Sequence, residues 1–274
     1  MTSMAECLTI CSFLIIPFIY EKSKSFRYYF KFFIYYSFIM LTSLAVIPIM
    51  LWRSRDVHNL MLASRICRHI SRVLGLHWEV TGKEYLEKDE ACVIVANHQS
   101  SLDVLGLIEL VPIMRKCTIV AKKELLYAWP FGLAAWLCGL IFIDRLNSDT
   151  SRQAINDSIK QLKRDKVKLW VFPEGTRKNT GEIHEFKKGA FHAAVNGQIP
   201  LLPIVFSRFY FTQKGSNKTL DIGRILVTVL PPVSTEGLTI ADIPRLMAET
   251  RASMIEVFQQ LNHQLQTQLA FKSE

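Results

Sequence analysis

Phe32 to Trp52 is a run of 21 residues without a charged side chain. As a helix it would rise about 31 Å at 1.5 Å per residue, enough to cross a hydrocarbon core of about 30 Å. A run of this length reads as a transmembrane helix. Cys7 to Tyr20 is a second charge-free run, of 14 residues. It would rise only about 21 Å and contains Pro17, so it is expected to dip into the interface or to span with help. Glu6 precedes it and no Lys or Arg does, unlike a cleavable signal peptide, so the start reads as a retained anchor. Basic residues flank the long run on both sides: Lys22, Lys24, Arg27 and Lys31 before it, Arg53, Arg55, Arg65, Arg68 and Arg72 after it. The positive-inside rule therefore gives no orientation. A helical hairpin that enters and leaves one leaflet would place both flanks against cytosolic headgroups. Leu125 to Ile143 is also charge-free but is punctuated by Pro130, Gly132 and Gly139. It reads as a short apolar helix feeding a core strand.

Beyond about residue 76 short apolar strands alternate with amphipathic helices. The strands are expected at Trp78–Val80, Cys92–Ala96, Thr118–Val120, Leu140–Ile143, Lys168–Phe172, Leu201–Phe206 and Ile225–Leu230. Helices fit at Leu102–Leu110, Arg152–Lys163, Lys188–Val195 and about Ala241–Leu265. The expected fold is α/β, a mixed sheet with surrounding helices, preceded by an N-terminal membrane-anchoring helical region. Residues 1–75 would form the anchor and a basic linker, and 76–274 the α/β domain. The net charge of +9 suits work against anionic lipid or on anionic substrates, as it would suit a merely basic surface. The six cysteines show no C-x-x-C pairing; they read as free thiols in a reducing compartment, with no metal site and no disulfide framework.

Four segments carry chemistry. In Ala91 to Asp103 an apolar strand ends on Asn97-His98, and Asp103 follows five residues after the histidine at the start of a helix. A base and its orienting carboxylate fit that layout, although the spacing alone is common. Gly139-Leu140-Ile141-Phe142-Ile143-Asp144-Arg145 is a strand ending in charge, so Arg145 is either a phosphate ligand or a solvated strand terminus. Phe172-Pro173-Glu174-Gly175-Thr176-Arg177 follows another strand. It offers a flexible glycine, a hydroxyl and a guanidinium to a phosphate, or is a polar turn. Ile199 to Phe206 is apolar with Pro200 and Pro203, which reads as a strand at an edge or with a bulge. His98, Arg145 and Arg177 could converge at one end of the sheet, where open α/β folds place ligands.

In sequence and order these segments resemble the four blocks of the glycerolipid acyltransferase family, over about residues 75 to 235. The form of Asn97 to Asp103, of Val171 to Arg177, and of the stretches Ala121 to Leu126 and Phe186 to His192 is most similar to animal 1-acyl-sn-glycerol-3-phosphate acyltransferases of the alpha and beta type. The resemblance implies transfer of an acyl group from acyl-CoA to the sn-2 hydroxyl of lysophosphatidic acid. The product would be phosphatidic acid, for phospholipid and triacylglycerol synthesis. It also implies an endoplasmic reticulum membrane with the active site facing the cytosol. His98 would be the general base and Asp103 its orienting partner, with the substrate's own hydroxyl as nucleophile. Arg177, Thr176, Gly175 and Arg145 would hold the acceptor phosphate, with Glu174 orienting arginines. Lys122, Lys187 and Lys188 are candidates for the CoA phosphates or a solvated basic face. No bound cofactor or metal and no nucleic acid is expected; acyl-CoA, lysophosphatidic acid and membrane lipid are the expected partners.

Rival readings remain at this point. Another lysophospholipid or glycerol 3-phosphate could be the acceptor. A lipid hydrolase would use water or a serine; no Gly-x-Ser-x-Gly occurs, but Ser100 and Ser101 lie near His98. A non-catalytic membrane-bound scaffold would leave the His98/Asp103 pair and the phosphate turn without purpose.

Overall fold

The computed structural model describes residues 15–144, 148–213 and 218–271. All but the last two residues of the long apolar run lie inside helix α1 (Lys24–Met50), which Ser23 caps by accepting from the Phe26 N–H at 3.2 Å; Leu51 and Trp52 fall in the 3-10 turn that follows. One stripe of α1, comprising Lys31, Tyr35, Thr42, Ser43, Val46 and Met50, is buried against the rest of the protein. The Lys31 ammonium reaches the carbonyl of Leu74 at 3.1 Å. Leu74 ends helix α3 (His69–Leu74), which follows α2 (His58–Cys67), so the charge is placed at a helix C-terminus, where the dipole favours a cation. Elsewhere α1 exposes Phe33, Leu41, Leu44 and Ile49, and Trp52 beyond its end is 91% exposed. Such a surface is suited to lipid. Of the second apolar run, residues before 15 lie outside the described residues; 15–20 are helical, with Ile15, Ile16 and Phe18 exposed.

The core is a seven-stranded sheet of β1 (Leu76–Thr81), β2 (Val93–Ala96), β3 (Cys117–Lys122), β4 (Ile141–Ile143), β5 (Lys168–Val171), β6 (Leu201–Phe206) and β9 (Gly223–Val229). Their order is β1-β9-β6-β2-β5-β3-β4. The neighbours from β6 to β4 run parallel, β6 and β9 are antiparallel, and β1 is parallel to β9. The sheet is therefore mixed, as expected. A separate two-stranded pair, β7 (Thr212–Gln213) and β8 (Thr219–Leu220), was not anticipated. All four residues of β2 are buried, as both faces of a central parallel strand require. Ile94 and Ala96 point into one apolar layer with α1, α2, α3, α4 (Lys83–Glu87), α5 (Asp103–Met114) and α6 (Phe131–Leu137). Val93 and Val95 point into the other, with α7 (Ser148–Asp165), α8 (Gly189–Gly197) and α9 (Ile243–Phe271). The apolar periodicity leads one to expect stripes of Ile155, Ile159 and Leu162 on α7 and of Leu246, Met247, Met254, Val257, Phe258 and Leu261 on α9; these face the second layer, with Met247 and Val257 only partly buried against it. The run Leu125 to Ile143 forms α6 and β4, a short apolar helix feeding a core strand.

Of the two readings of Ile199 to Phe206, an edge or a bulge, the second holds: β6 lies inside the sheet, between β9 and β2. A proline is tolerated there because pairing with the antiparallel side slips by one residue between Leu201↔Val233 and Ile204↔Val229, a bulge opposite Pro203. The Pro203 carbonyl still accepts the Leu230 N–H at 2.9 Å. Among the cysteines, Cys67, Cys92, Cys117 and Cys138 are free and buried, and burial pushes the Cys92 thiol up to about 12. Cys7 and Cys11 lie outside the described residues.

Candidate active site

β2 ends at Ala96, and the next side chain continues its ladder. Asn97 donates Nδ2 to the Phe206 carbonyl at 3.0 Å and accepts the Phe206 N–H at 2.8 Å. This side-chain pair fixes the strand end to β6 and sets the position of His98. The His98 ring lies flat on Phe172, with centroids 4.0 Å apart and planes 17° apart. The chain then wraps around a carboxylate. Asp103 Oδ2 accepts from His98 Nδ1 at 2.6 Å, from the Gln99 N–H at 2.7 Å and from the Ser100 N–H at 2.9 Å. Asp103 is fully buried at the start of α5. Since Nδ1 donates to the carboxylate, the neutral imidazole carries its lone pair on Nε2. There Arg177 Nε donates at 3.4 Å. Among the described residues no serine hydroxyl is bonded to the ring: Ser100 Oγ accepts from the Leu102 N–H, and Ser101 Oγ from Tyr36 at 3.1 Å.

The turn after β5 meets this loop from the neighbouring strand. Gly175 has φ +71°, and its N–H closes on the Phe172 carbonyl at 3.1 Å; a Cβ there would stand 2.8 Å from Lys187 Cε. Glu174 is buried and accepts the backbone N–H of His98 at 2.6 Å and of His184 at 3.1 Å. Burial pushes its carboxyl up to about 7, against the pull of those two N–H bonds, and the nearby Asp103 adds to the rise. Its hydrogen bonds thus tie the β5 turn to the backbone of His98 and not to an arginine. Thr176 and Arg177 are exposed at the tip. Arg145 lies outside the described residues.

Two cavities meet at Arg177. One, of about 370 Å³, is apolar; Tyr35, Thr42 and Val46 of α1 form one side, Leu107 of α5 and Ala135 of α6 another, and Ser101 and Arg177 its end. The other, of about 420 Å³, is the more polar of the two and is lined by Gln99, Ser100, Arg177, Lys178 and Arg208 among others. Lys122, paired with Glu124 at 2.9 Å, and the exposed Lys187 and Lys188 line neither. Sequence reasoning passed over Asn97, Phe172, Lys178 and Arg208. Lys178 adjoins a motif already singled out, and Arg208 stands two residues beyond a strand whose end faces the site, which was the available signal. Among the described residues no cluster of His, Cys, Asp or Glu could hold a metal ion.

A buried imidazole–carboxylate pair beside a cationic turn, at the carboxyl ends of parallel strands, is an arrangement that suits acyl transfer. The family model described as Acyltransferase matches residues 77–207. The chain belongs to the 1-acyl-sn-glycerol-3-phosphate acyltransferase family: it is 40% identical over 241 residues to the alpha enzyme of Mus musculus, across 88% of this chain and 84% of that one. To the beta enzyme of Homo sapiens it is 35% identical over 254 residues, across 92% and 90%. Its fold is that of the 1-acyl-sn-glycerophosphate acyltransferase PlsC from Thermotoga maritima, with TM-score 0.64 at 22% identity over 86% of this chain and 96% of that one.

Proposed function

We propose that the chain transfers an acyl group from acyl-CoA to the sn-2 hydroxyl of 1-acyl-sn-glycerol 3-phosphate, giving phosphatidic acid. The observation that carries this reading is the buried His98–Asp103 pair, whose Nε2, on the side away from Asp103, lies 3.4 Å from the Nε of Arg177, the residue that lines both the apolar and the cationic cavity. Nε2 takes the proton from the acceptor hydroxyl as its oxygen attacks the thioester carbonyl. Asp103 holds the ring's tautomer and stabilises the imidazolium. Collapse of the tetrahedral intermediate expels CoA thiolate, which recovers the proton from His98. Arg177 leaves Nε2 to the incoming hydroxyl and pairs with the acceptor phosphate, with Thr176 and Arg145 as further candidates. The apolar cavity accommodates the acyl chain in transit, and Lys122, Lys187 and Lys188 remain candidates for the outlying CoA phosphates.

The first 75 residues serve as the anchor. Because α1 is buried along one stripe from Lys31 to Met50, a hairpin seated in one leaflet suits it better than an isolated crossing. The compartment inferred is the cytosolic face of the endoplasmic reticulum, from the free thiols and the family. The test is turnover of purified protein with oleoyl-CoA and lysophosphatidic acid. Near-normal turnover by His98→Ala would sink the mechanism.

A further inference from the structure

The polar cavity holds three cations, Arg177, Lys178 and Arg208. Among the described residues none of them has a carboxylate within 4.0 Å. Arg208 is half-buried and built into place. Its backbone N–H donates to Asn262 Oδ1 at 2.8 Å, and its guanidinium rests 5.2 Å above the Tyr210 ring. Gly181, at φ +90°, lets the 178–184 loop close on it, since a Cβ there would stand 2.8 Å from Nη1. Asn179 Nδ2 bonds the carbonyls of Phe209 and Thr212 at 3.2 and 3.4 Å, so the turn carrying Lys178 is laced to the segment carrying Arg208. A half-buried guanidinium without a counter-charge is unfavourable unless an anion joins it.

We propose that Arg208 and Lys178, together with Arg177, form a subsite for a phosphate monoester dianion, and that this subsite selects the acceptor. The proposal rests on the reaction given above and names which acceptors it admits. Both substrates carry such a group: the acceptor at its headgroup and CoA at its 3′-phosphate. The acceptor fits better. Its free hydroxyl is on the carbon next to the one bearing the phosphate, so a hydroxyl at His98 Nε2 places the phosphate beside Arg177. The CoA 3′-phosphate is separated from the thioester by the whole pantetheine arm. Lysophosphatidylcholine, a diester with a quaternary ammonium, would meet three like charges.

The test compares wild type, Arg208→Gln, Lys178→Gln and Arg208→Lys, each first shown to unfold at the wild-type temperature. Loss of one charge-assisted hydrogen bond is expected to raise KM for lysophosphatidic acid by about 10- to 100-fold. KM for oleoyl-CoA should stay unchanged, the preference for lysophosphatidic acid over lysophosphatidylcholine should narrow by a similar factor, and Arg208→Lys should recover part of both. An increase in the acyl-CoA KM that disappears with a 3′-dephospho-CoA thioester would assign the subsite to the donor and overturn the proposal. Unchanged KM values for both substrates would overturn it as well. If wild type acylates no lysophosphatidic acid, the reaction itself is misassigned. The subsite is then judged by binding of labelled glycerol 3-phosphate, where equal binding by wild type and Arg208→Gln removes it.

Discussion

Tyr35, on the apolar helix α1, donates its phenolic hydrogen to the carbonyl of Ser101 at 3.0 Å, inside the loop that separates His98 from Asp103. The helix proposed to face lipid thus touches the segment that sets the geometry of His98. Tyr35→Phe keeps the ring and removes this bond. It is expected to lower stability by about 1 kcal/mol and to reduce kcat while leaving both KM values close to wild type. Denaturation in detergent and steady-state kinetics on the same preparation measure the two effects.

His98→Ala removes the base, and kcat should fall by about 10²- to 10⁴-fold with the fold retained. Asp103→Asn is expected to fall in the same range. An amide oxygen at the Oδ2 position still accepts the Gln99 and Ser100 N–H groups, but no negative charge faces the imidazolium. Circular dichroism alongside turnover with oleoyl-CoA and lysophosphatidic acid separates loss of chemistry from loss of structure.

Ala135 lines the apolar cavity between α1, α5 and α6. Ala135→Phe projects a ring into that space and should move the optimum of kcat/KM toward shorter acyl chains, with little effect on the acceptor KM. A series of acyl-CoA thioesters of increasing length reads this directly. An unchanged profile would mean that the transferred chain lies elsewhere.

Glu174 gives a pH dependence with a definite sign. Its carboxyl is held at about 7 in the fold against an ordinary value of 4.5, so the folded state prefers the protonated form. The stabilisation is complete below pH about 4.5 and is lost as pH rises to about 7, a change of about 3 kcal/mol. Glu174→Gln should remove that slope. Unfolding free energies of wild type and variant across pH 4 to 8 supply the check; their difference should flatten above about pH 7.

The seven strands of the sheet were legible because strands buried on both faces are continuous apolar runs between polar breaks. Their order was not, since nothing local in Leu201–Phe206 says whether the next strand lies left or right; Pro203 allowed an edge or a bulge, and it is the bulge on the β9 side that is found. Helices α2 and α3 were hidden in what looked like a basic linker, although Leu60, Cys67, Ile70 and Leu74 supply core contacts from it. At the site, the His98 to Asp103 spacing and the turn at Arg177 were legible because each lies within one short segment. Arg208 was not, because it comes to the cavity it shares with Lys178 only after the chain has passed through α8 and β6. Glu174 was read as a partner of arginines, yet its contacts are to backbone, which side-chain chemistry in a sequence does not advertise.

The apolar cavity has one side made entirely of α1, through Tyr35, Thr42 and Val46 among others. A chain shortened to begin after α1, as might be made to ease expression, would retain His98, Asp103 and Arg177. It would, however, turn that cavity into an open trough of wetted aliphatic surface. If the apolar cavity holds the acyl chain as proposed, the α/β core without α1 should lose transfer activity, which kinetics on such a truncation would measure.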